Sequence, residues 1–122
     1  VCVQDQGIPF NRLALRSQIN GGMIQALSYG LLEERVIDPR LGIMLSDDME
    51  SYKVAGAREM PELVALIDDD DTRQQAMGMA EATNIPGHAA IANAVFNACG
   101  LRLRSLPLTP DKVLMGWKEL HG

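Results

Sequence analysis

The fold depends most on residues 18–36, which read QINGGMIQALSYGLLEERV. Apolar side chains recur in this stretch every three or four residues, which is the spacing of one face of an α-helix. They are Ile19, Met23, Ile24, Leu27, Leu31, Leu32 and Val36. The residue before a proline is disfavoured in helical backbone, so Asp38-Pro39 sets an end point. We therefore predict a long helix from Gln18 to about Val36.

Three glycines interrupt this helix, namely Gly21, Gly22 and Gly30. Each one costs about 1 kcal/mol relative to alanine inside a helix, so something must need to approach the backbone closely. The first interpretation is tight packing against a neighbouring helix or strand. The second is a ligand that lies over Gly21 and Gly22, since free N–H groups near a helix start favour anions. The residues alone leave both interpretations open.

Length, composition and charge narrow the class of protein. The sequence has 122 residues, of which 47% are hydrophobic and 22% charged, as in one ordinary globular domain. Only 4% are aromatic, so the core must be built from aliphatic side chains and methionine. The net charge of -5 argues against a nucleic-acid partner. No apolar run approaches the roughly 20 residues that span a bilayer, so no membrane partner is expected.

The remaining segments complete an α+β fold without a boundary between domains. A short strand is predicted at the start, and a second strand in a mostly apolar run. A helix that ends at Gly100, an alternating strand and a last helix capped by Thr109-Pro110-Asp111 follow. In chain order, the predicted elements are strands at 1–3 and 62–67, a helix at 88–99, a strand at 101–104 and a helix from 110. We expect one long glycine-bearing helix, a small mixed sheet and two further helices.

Glu81 is the residue that the bare sequence singles out for chemistry. Residues 72–87 have no clear period and should form a long loop, and Glu81 is the sole acidic residue between Asp71 and Asp111. Small and apolar residues surround it, and a carboxylate in apolar surroundings is a stronger base than one in water. The alternative is an exposed glutamate, or one that caps the following helix. The two histidines are isolated, so no protein-ligated metal site is predicted.

Several short motifs, in the same order along the chain, resemble the C-terminal segment of the molybdenum-binding subunit of the xanthine dehydrogenase and aldehyde oxidase family. The correspondence covers almost all of the chain. Its pieces are Asn11, SQINGGMIQA at 17–26, LLEE at 31–34, SYKV at 51–54, MPEL at 60–63, GMAE at 78–81, AAIANA at 89–94 and LPLTPDKVL at 106–114.

This resemblance implies an activity and a role for Glu81. It implies a molybdenum hydroxylase that oxidises aldehydes, purines or other N-heterocycles with water as the oxygen source. Glu81 occupies the position of the glutamate in the family's Gly-x-Gly-Glu loop. In the family this glutamate is the catalytic base, and it takes the proton from a hydroxyl on molybdenum. A positioned base beside an activated nucleophile is a common division of labour in enzymes.

The resemblance also implies which residues lie near the cofactor. Molybdenum is held by the molybdopterin and not by protein side chains, so no metal ligand is expected in this chain. The expected cofactor contacts are Gln18, Gly21, Gly22, Gly78, Met79 and Ala80. Ala80 replaces the second glycine of the family's loop. That departure supports an alternative in which the chain is a non-catalytic binding or assembly module with the same fold.

The resemblance finally implies partners. Residues 1–122 are expected to be a single C-terminal segment of a longer molybdopterin-binding domain, and to be inactive alone. The implied partners are the remainder of the molybdenum-binding subunit, iron–sulfur and FAD domains or subunits that carry electrons away, and a small-molecule substrate. We expect a cytoplasmic enzyme, with the periplasm as the alternative.

Overall fold

The computed structural model describes residues 1–70, 74–79 and 81–122. Within these ranges the chain forms three helices and a small sheet, which confirms the predicted α+β class. In chain order the elements are β1 (Cys2–Gln4), α1 (Arg12–Leu31), β2 (Ala65–Ile67), α2 (Gly87–Cys99) and α3 (Pro110–His121).

Helix α1 begins and ends earlier than the apolar spacing predicts. Its start is fixed by the Asn11 side chain, which accepts a hydrogen bond from the N–H of Ala14 at 3.0 Å. After Leu31 the chain leaves the helix, and the Val36 N–H donates to Ser46 Oγ at 3.0 Å. The predicted last turn is therefore missing because its backbone pairs with a later segment of the chain instead.

The sheet consists of β1 and β2, which pair in parallel with Cys2 opposite Ala65 and Gln4 opposite Ile67. Two isolated antiparallel bridges lie outside it, Gly7 with Ala76 and Ile37 with Met44. The predicted strand at 62–67 is shortened to its last three residues because β1 offers a partner of only three residues. The loop between α1 and β2 is fastened to the helix by the buried Ser28, whose Oγ accepts from the Ala55 N–H at 2.9 Å.

The largest helix–helix contact joins α1 to α2, and it depends on small residues. A Cβ added to Gly87 would lie 2.3 Å from the Cβ of Ala26, and one added to Gly30 would lie 3.2 Å from Ile91 Cδ1. The backbones of the two helices therefore approach closely. The buried apolar side chains of the described residues are Leu15, Ile19, Ala26, Leu101 and Leu108.

The two later helices lie where the sequence predicts them. Gly100 ends α2 with φ at 74°, in the left-handed region that favours glycine, and Thr109 occupies the N-cap position of α3. The strand predicted at 101–104 is wrong, since these residues are in no strand. Leu101 and Leu103 alternate because both pack against Gly116 of α3. Among the described residues, no helix has the length and hydropathy needed to cross a membrane.

Candidate active site

Glu81 lies at the start of a turn over residues 81–86, immediately before α2. Its carbonyl oxygen accepts hydrogen bonds from the N–H groups of Asn84 at 3.1 Å and Ile85 at 3.3 Å. Its side chain is exposed. The described part of this chain therefore does not supply the apolar surroundings that the sequence neighbours of Glu81 suggest. In this turn the buried side chain is that of Thr83, which is 3% exposed.

The turn packs against Gly22, the second of the paired glycines of α1. A Cβ added to Gly22 would lie 1.9 Å from Thr83 Oγ1, 2.7 Å from Thr83 Cβ and 3.1 Å from its carbonyl carbon. Real Cβ atoms do not approach other atoms so closely, so only glycine admits Thr83 at this place. Packing is thus the reason for Gly22, whereas a Cβ added to Gly21 would meet nothing within 4 Å. Packing therefore explains Gly22, and the ligand interpretation stays a prediction for Gly21.

A polar network also connects the turn to α1. The Tyr29 hydroxyl donates to the carbonyl oxygen of Asn84 at 2.5 Å, and it lies 3.0 Å from Nδ1 of His88. The Asn84 side chain donates from Nδ2 to Gln25 Oε1 at 2.8 Å. Two residues one turn apart on α1, Gln25 and Tyr29, therefore hold Asn84 by its side chain and its backbone.

A groove of about 240 Å³ lies between the loop after β1, the first turns of α1 and the segment 76–79, which precedes Glu81 along the chain. Gln18 and Met79, two of the predicted cofactor residues, both line it. The segment is held in place by backbone bonds, from the Met77 N–H to the Gln6 carbonyl at 2.8 Å and from the Ile8 N–H to the Gln75 carbonyl at 3.1 Å. The full lining is Gln6, Ile8, Pro9, Phe10, Asn11, Ala14, Leu15, Gln18, Ala76, Met77 and Met79.

Not every predicted site residue joins this arrangement. Gly78 is exposed, with nothing within 4 Å of an added Cβ, so it leaves open space beside the groove residue Met79. Ala80 lies outside the described residues. Sequence reasoning missed Gln6, Thr83 and Tyr29, and it described His88 only as isolated. Periodicity carries no signal for such residues, because a polar side chain is recruited by tertiary contacts that no local pattern encodes.

Two residues of the groove and the turn have a buried side-chain oxygen without a hydrogen-bond partner, namely Gln6 Oε1 and Thr83 Oγ1, and Asn20 Oδ1 on α1 is another such atom. A buried acceptor without a donor costs about 1–3 kcal/mol, so such atoms mark places where another group would be favoured. Gln6 is itself 3% exposed and lines the groove. No three His, Cys, Asp or Glu side chains of the described residues lie together as a possible metal site.

The charged groups around the start of α1 are paired at the surface. Arg12 donates from Nη2 to Asp69 Oδ2 at 2.6 Å. This hydrogen bond, with a smaller contribution from the charge of Arg16, lowers the pKa of Asp69, and it raises the pKa of Arg12. Both side chains of the pair are about half exposed or more, so the pair orients the start of α1 and stabilises the fold little.

Comparison with known proteins identifies the family. The family of molybdopterin cofactor-binding domains matches residues 1–61, which is half of the chain. The aldehyde oxidoreductase molybdenum-binding subunit of Escherichia coli K12 is 39% identical over 108 residues, or 85% of this chain and 15% of its own length. The xanthine dehydrogenase molybdenum-binding subunit of Escherichia coli O157:H7 is 33% identical over 122 residues, or 98% of this chain and 16% of its own length.

Solved structures give the same fold. Quinoline 2-oxidoreductase from Pseudomonas putida 86 superposes with a TM-score of 0.82 at 26% identity, over 96% of this chain and 16% of that one. Carbon monoxide dehydrogenase from Oligotropha carboxidovorans, at 18% identity, shares the fold with a TM-score of 0.82, over 97% of this chain and 15% of that one. The chain thus spans about a sixth of the length of the proteins it matches. It belongs to the molybdopterin cofactor-binding domain family, that of the molybdenum-binding subunits of xanthine dehydrogenase and aldehyde oxidoreductase.

Proposed function

We propose that this chain supplies the catalytic base and part of the cofactor cradle of a molybdenum hydroxylase, which oxidises an aldehyde, a purine or another N-heterocycle with oxygen from water. The single observation that carries the proposal is that α1 contacts the chain on both sides of Glu81. Gln18 shares a groove with Met79, two residues before Glu81, and Gly22 admits Thr83, two residues after it. These two neighbours support a location of Glu81 beside the stretch of helix from which the cofactor contacts are proposed.

The described residues fit a molybdopterin. Gln18 offers both a donor and an acceptor to the groove, and Gln6 Oε1, an unpartnered acceptor on another groove residue, fits a pterin, which is rich in N–H groups. The open space at Gly21 and Gly78 lets another group approach the backbone. Gly22 acts indirectly, by admitting Thr83, and Ala80 stays a prediction.

The bound cofactor supplies the oxidation chemistry, and the residues of this chain orient it and accept a proton. The exposed Glu81 carboxylate is free to accept that proton, since no hydrogen bond or ion pair from the described residues occupies it. In this proposal the polypeptide that makes up the rest of the molybdenum-binding subunit completes the pocket. Electrons leave through iron–sulfur clusters and FAD on other domains or subunits.

The test is Glu81→Gln in the intact molybdenum-binding subunit. Glutamine keeps the size of the side chain and removes its basicity, so turnover should fall by about 10²–10⁴-fold. Molybdenum and pterin content should stay the same, because a residue that acts only as a base does not hold the cofactor. The matched control is Glu50→Gln, the same change at an exposed glutamate in the loop between α1 and β2.

The two variants separate the possible results. A loss confined to Glu81→Gln, with full cofactor content, supports the base. Near-normal turnover of Glu81→Gln would remove Glu81 from this role. A loss of cofactor from Glu81→Gln would show a binding role in its place.

A second candidate is a non-catalytic binding or assembly module. It is favoured by Ala80 at the loop's second glycine and by the exposure of Glu81. In this case cofactor-loaded enzyme would show no dependence on Glu81, whereas variants that disturb α1 would reduce its assembly.

The 122 residues alone should turn nothing over, because they cover only about 15% of the length of the curated relatives. The measurement is aldehyde and hypoxanthine oxidation by the purified chain after incubation with molybdopterin. Turnover above that of the free cofactor would contradict the proposal.

A further inference from the structure

The contacts of Tyr29 fix where two protons lie. The carbonyl oxygen of Asn84 can only accept, so at 2.5 Å the Tyr29 hydroxyl must donate its one proton to it. The Tyr29 oxygen can then only accept from its other neighbour, Nδ1 of His88 at 3.0 Å. His88 must therefore carry a proton on Nδ1. The contacts form a directed chain, from His88 to Tyr29 to Asn84.

This chain ends at Glu81. The N–H of Ile85 belongs to the same peptide group as the carbonyl of Asn84, and it donates to the carbonyl oxygen of Glu81 at 3.3 Å, so this peptide group receives a hydrogen bond from Tyr29 and passes one on. Hydrogen bonds in such a series polarise and strengthen one another. The peptide group between Asn84 and Ile85 is thus held on one side by α1 and holds the start of the turn on the other.

On its C-terminal side, Glu81 is positioned by this turn. No side-chain hydrogen bond or ion pair from the described residues holds the carboxylate, which is exposed. Its location is therefore set by the backbone of residues 81–86, and this backbone is set by its attachments to α1. One attachment, at Gly22, is by packing, and two are polar, at Gln25 and at Tyr29.

We propose that Tyr29, with His88 behind it, is a positioning residue for Glu81: the pair fixes the turn on α1 and so holds the carboxylate where it accepts a proton. This inference rests on the proposed role of Glu81 as the base. A displacement of about 1 Å at a reacting group can cost on the order of 10²-fold in rate, so removing one attachment should have a smaller but measurable effect.

The experiment uses Tyr29→Phe in the intact, cofactor-loaded enzyme. Phenylalanine keeps the ring and removes only the hydroxyl. We expect kcat to fall about tenfold with KM and cofactor content unchanged, and faster amide hydrogen exchange at residues 84 and 85 by mass spectrometry. The control is Tyr52→Phe, which removes the same hydroxyl from the other half-buried tyrosine, where it donates to Glu33 Oε2 at 2.8 Å. Tyr52→Phe should change neither kcat nor the amide hydrogen exchange at residues 84 and 85.

A second pair of variants tests the proton on His88. Asparagine places an N–H donor close to the position of Nδ1, whereas leucine places none there. We expect His88→Asn to keep most of kcat and the slow exchange, and His88→Leu to lose part of both, but less than Tyr29→Phe, which also loses the hydrogen bond to Asn84. Equal losses in both histidine variants would show that the ring packs and does not donate.

The outcomes separate this inference from the proposed function. If Tyr29→Phe leaves both kcat and exchange unchanged while Glu81→Gln abolishes turnover, the positioning role is wrong and the base stands. The same holds if exchange rises but kcat does not change. If Glu81→Gln keeps its turnover, the base is wrong, and the positioning role falls with it.

Discussion

The contact between Gly22 and Thr83 gives the sharpest test of how the site is built. In Gly22→Ala the new Cβ would lie 2.7 Å from Thr83 Cβ and 3.1 Å from its carbonyl carbon. Carbon atoms in contact are about 3.5–4.0 Å apart, so the turn must move by roughly 1 Å. Thr83 is 3% exposed, and rotation of its side chain would move Oγ1 but neither Cβ nor the carbonyl carbon.

Two opposing effects set the magnitude. Alanine is better than glycine inside a helix by about 1 kcal/mol. Forcing an extra methyl group into a packed contact costs about 1–3 kcal/mol. Gly21→Ala is the matched control, because it makes the same change one residue earlier, where a Cβ meets nothing within 4 Å. It should raise the free energy of unfolding by about 0.5–1 kcal/mol. The difference between the two variants therefore isolates the packing cost.

Urea unfolding followed by far-ultraviolet circular dichroism measures this difference. When two variants have the same m-value, their unfolding midpoints compare their free energies of unfolding directly. Gly22→Ala should unfold at lower urea than Gly21→Ala, by about 1–3 kcal/mol in free energy. Combining Gly22→Ala with Thr83→Ala removes the nearest clashing atom, Thr83 Oγ1, and should recover part of the loss. Equal midpoints for the two alanine variants would refute the close approach of the turn to α1.

Three further changes test local features of the fold by the same unfolding measurement or by titration. Asn11→Ala removes the side chain that caps α1 and should cost about 1 kcal/mol, whereas an unchanged midpoint would show that the cap is not formed. Gly100→Ala forces a Cβ into left-handed backbone at φ 74° and should cost about 1–2 kcal/mol, with no loss expected if α2 ends differently. Arg12→Met should raise the pKa of Asp69 toward its ordinary value in an NMR titration. Because the pair holds that pKa low, its stabilisation exists at neutral pH and is lost as pH falls through the native pKa of Asp69, a loss that the variant should lack.

The helices were predictable because their signals are local. The apolar spacing of 18–36 and the left-handed glycine after α2 act within a few residues. The errors come from partners that are distant in sequence. Leu101 and Leu103 alternate as in a strand, but the surface they cover belongs to α3. Val36 has the right spacing for α1, but its N–H donates to Ser46.

Only the resemblance links Gln18 and Met79 with Glu81, because no local pattern unites these residues. The structure places Gln18 and Met79 on one groove and Thr83 against Gly22, and their role at a cofactor stays a prediction. Thr83 and Tyr29 could not be found, because a buried hydroxyl and a half-buried tyrosine read in sequence like any other. Burial and hydrogen-bond geometry, which depend on the whole fold, distinguish them.

The paired glycines lie in two different environments on one helix. Successive residues of a helix are about 100° apart, so neighbours face different surroundings. Gly21 follows Ala14 and Gln18 at helical spacing, on the side of the groove, and is open. Gly22 begins a row of small residues at every fourth position, Gly22, Ala26 and Gly30, which meets the segment from Thr83 to Ile91. The boundary between the open side and the packed side of α1 thus falls between these two glycines. Gly22 must therefore lack a side chain for Thr83 to pack against it, whereas a Cβ at Gly21 would enter open space.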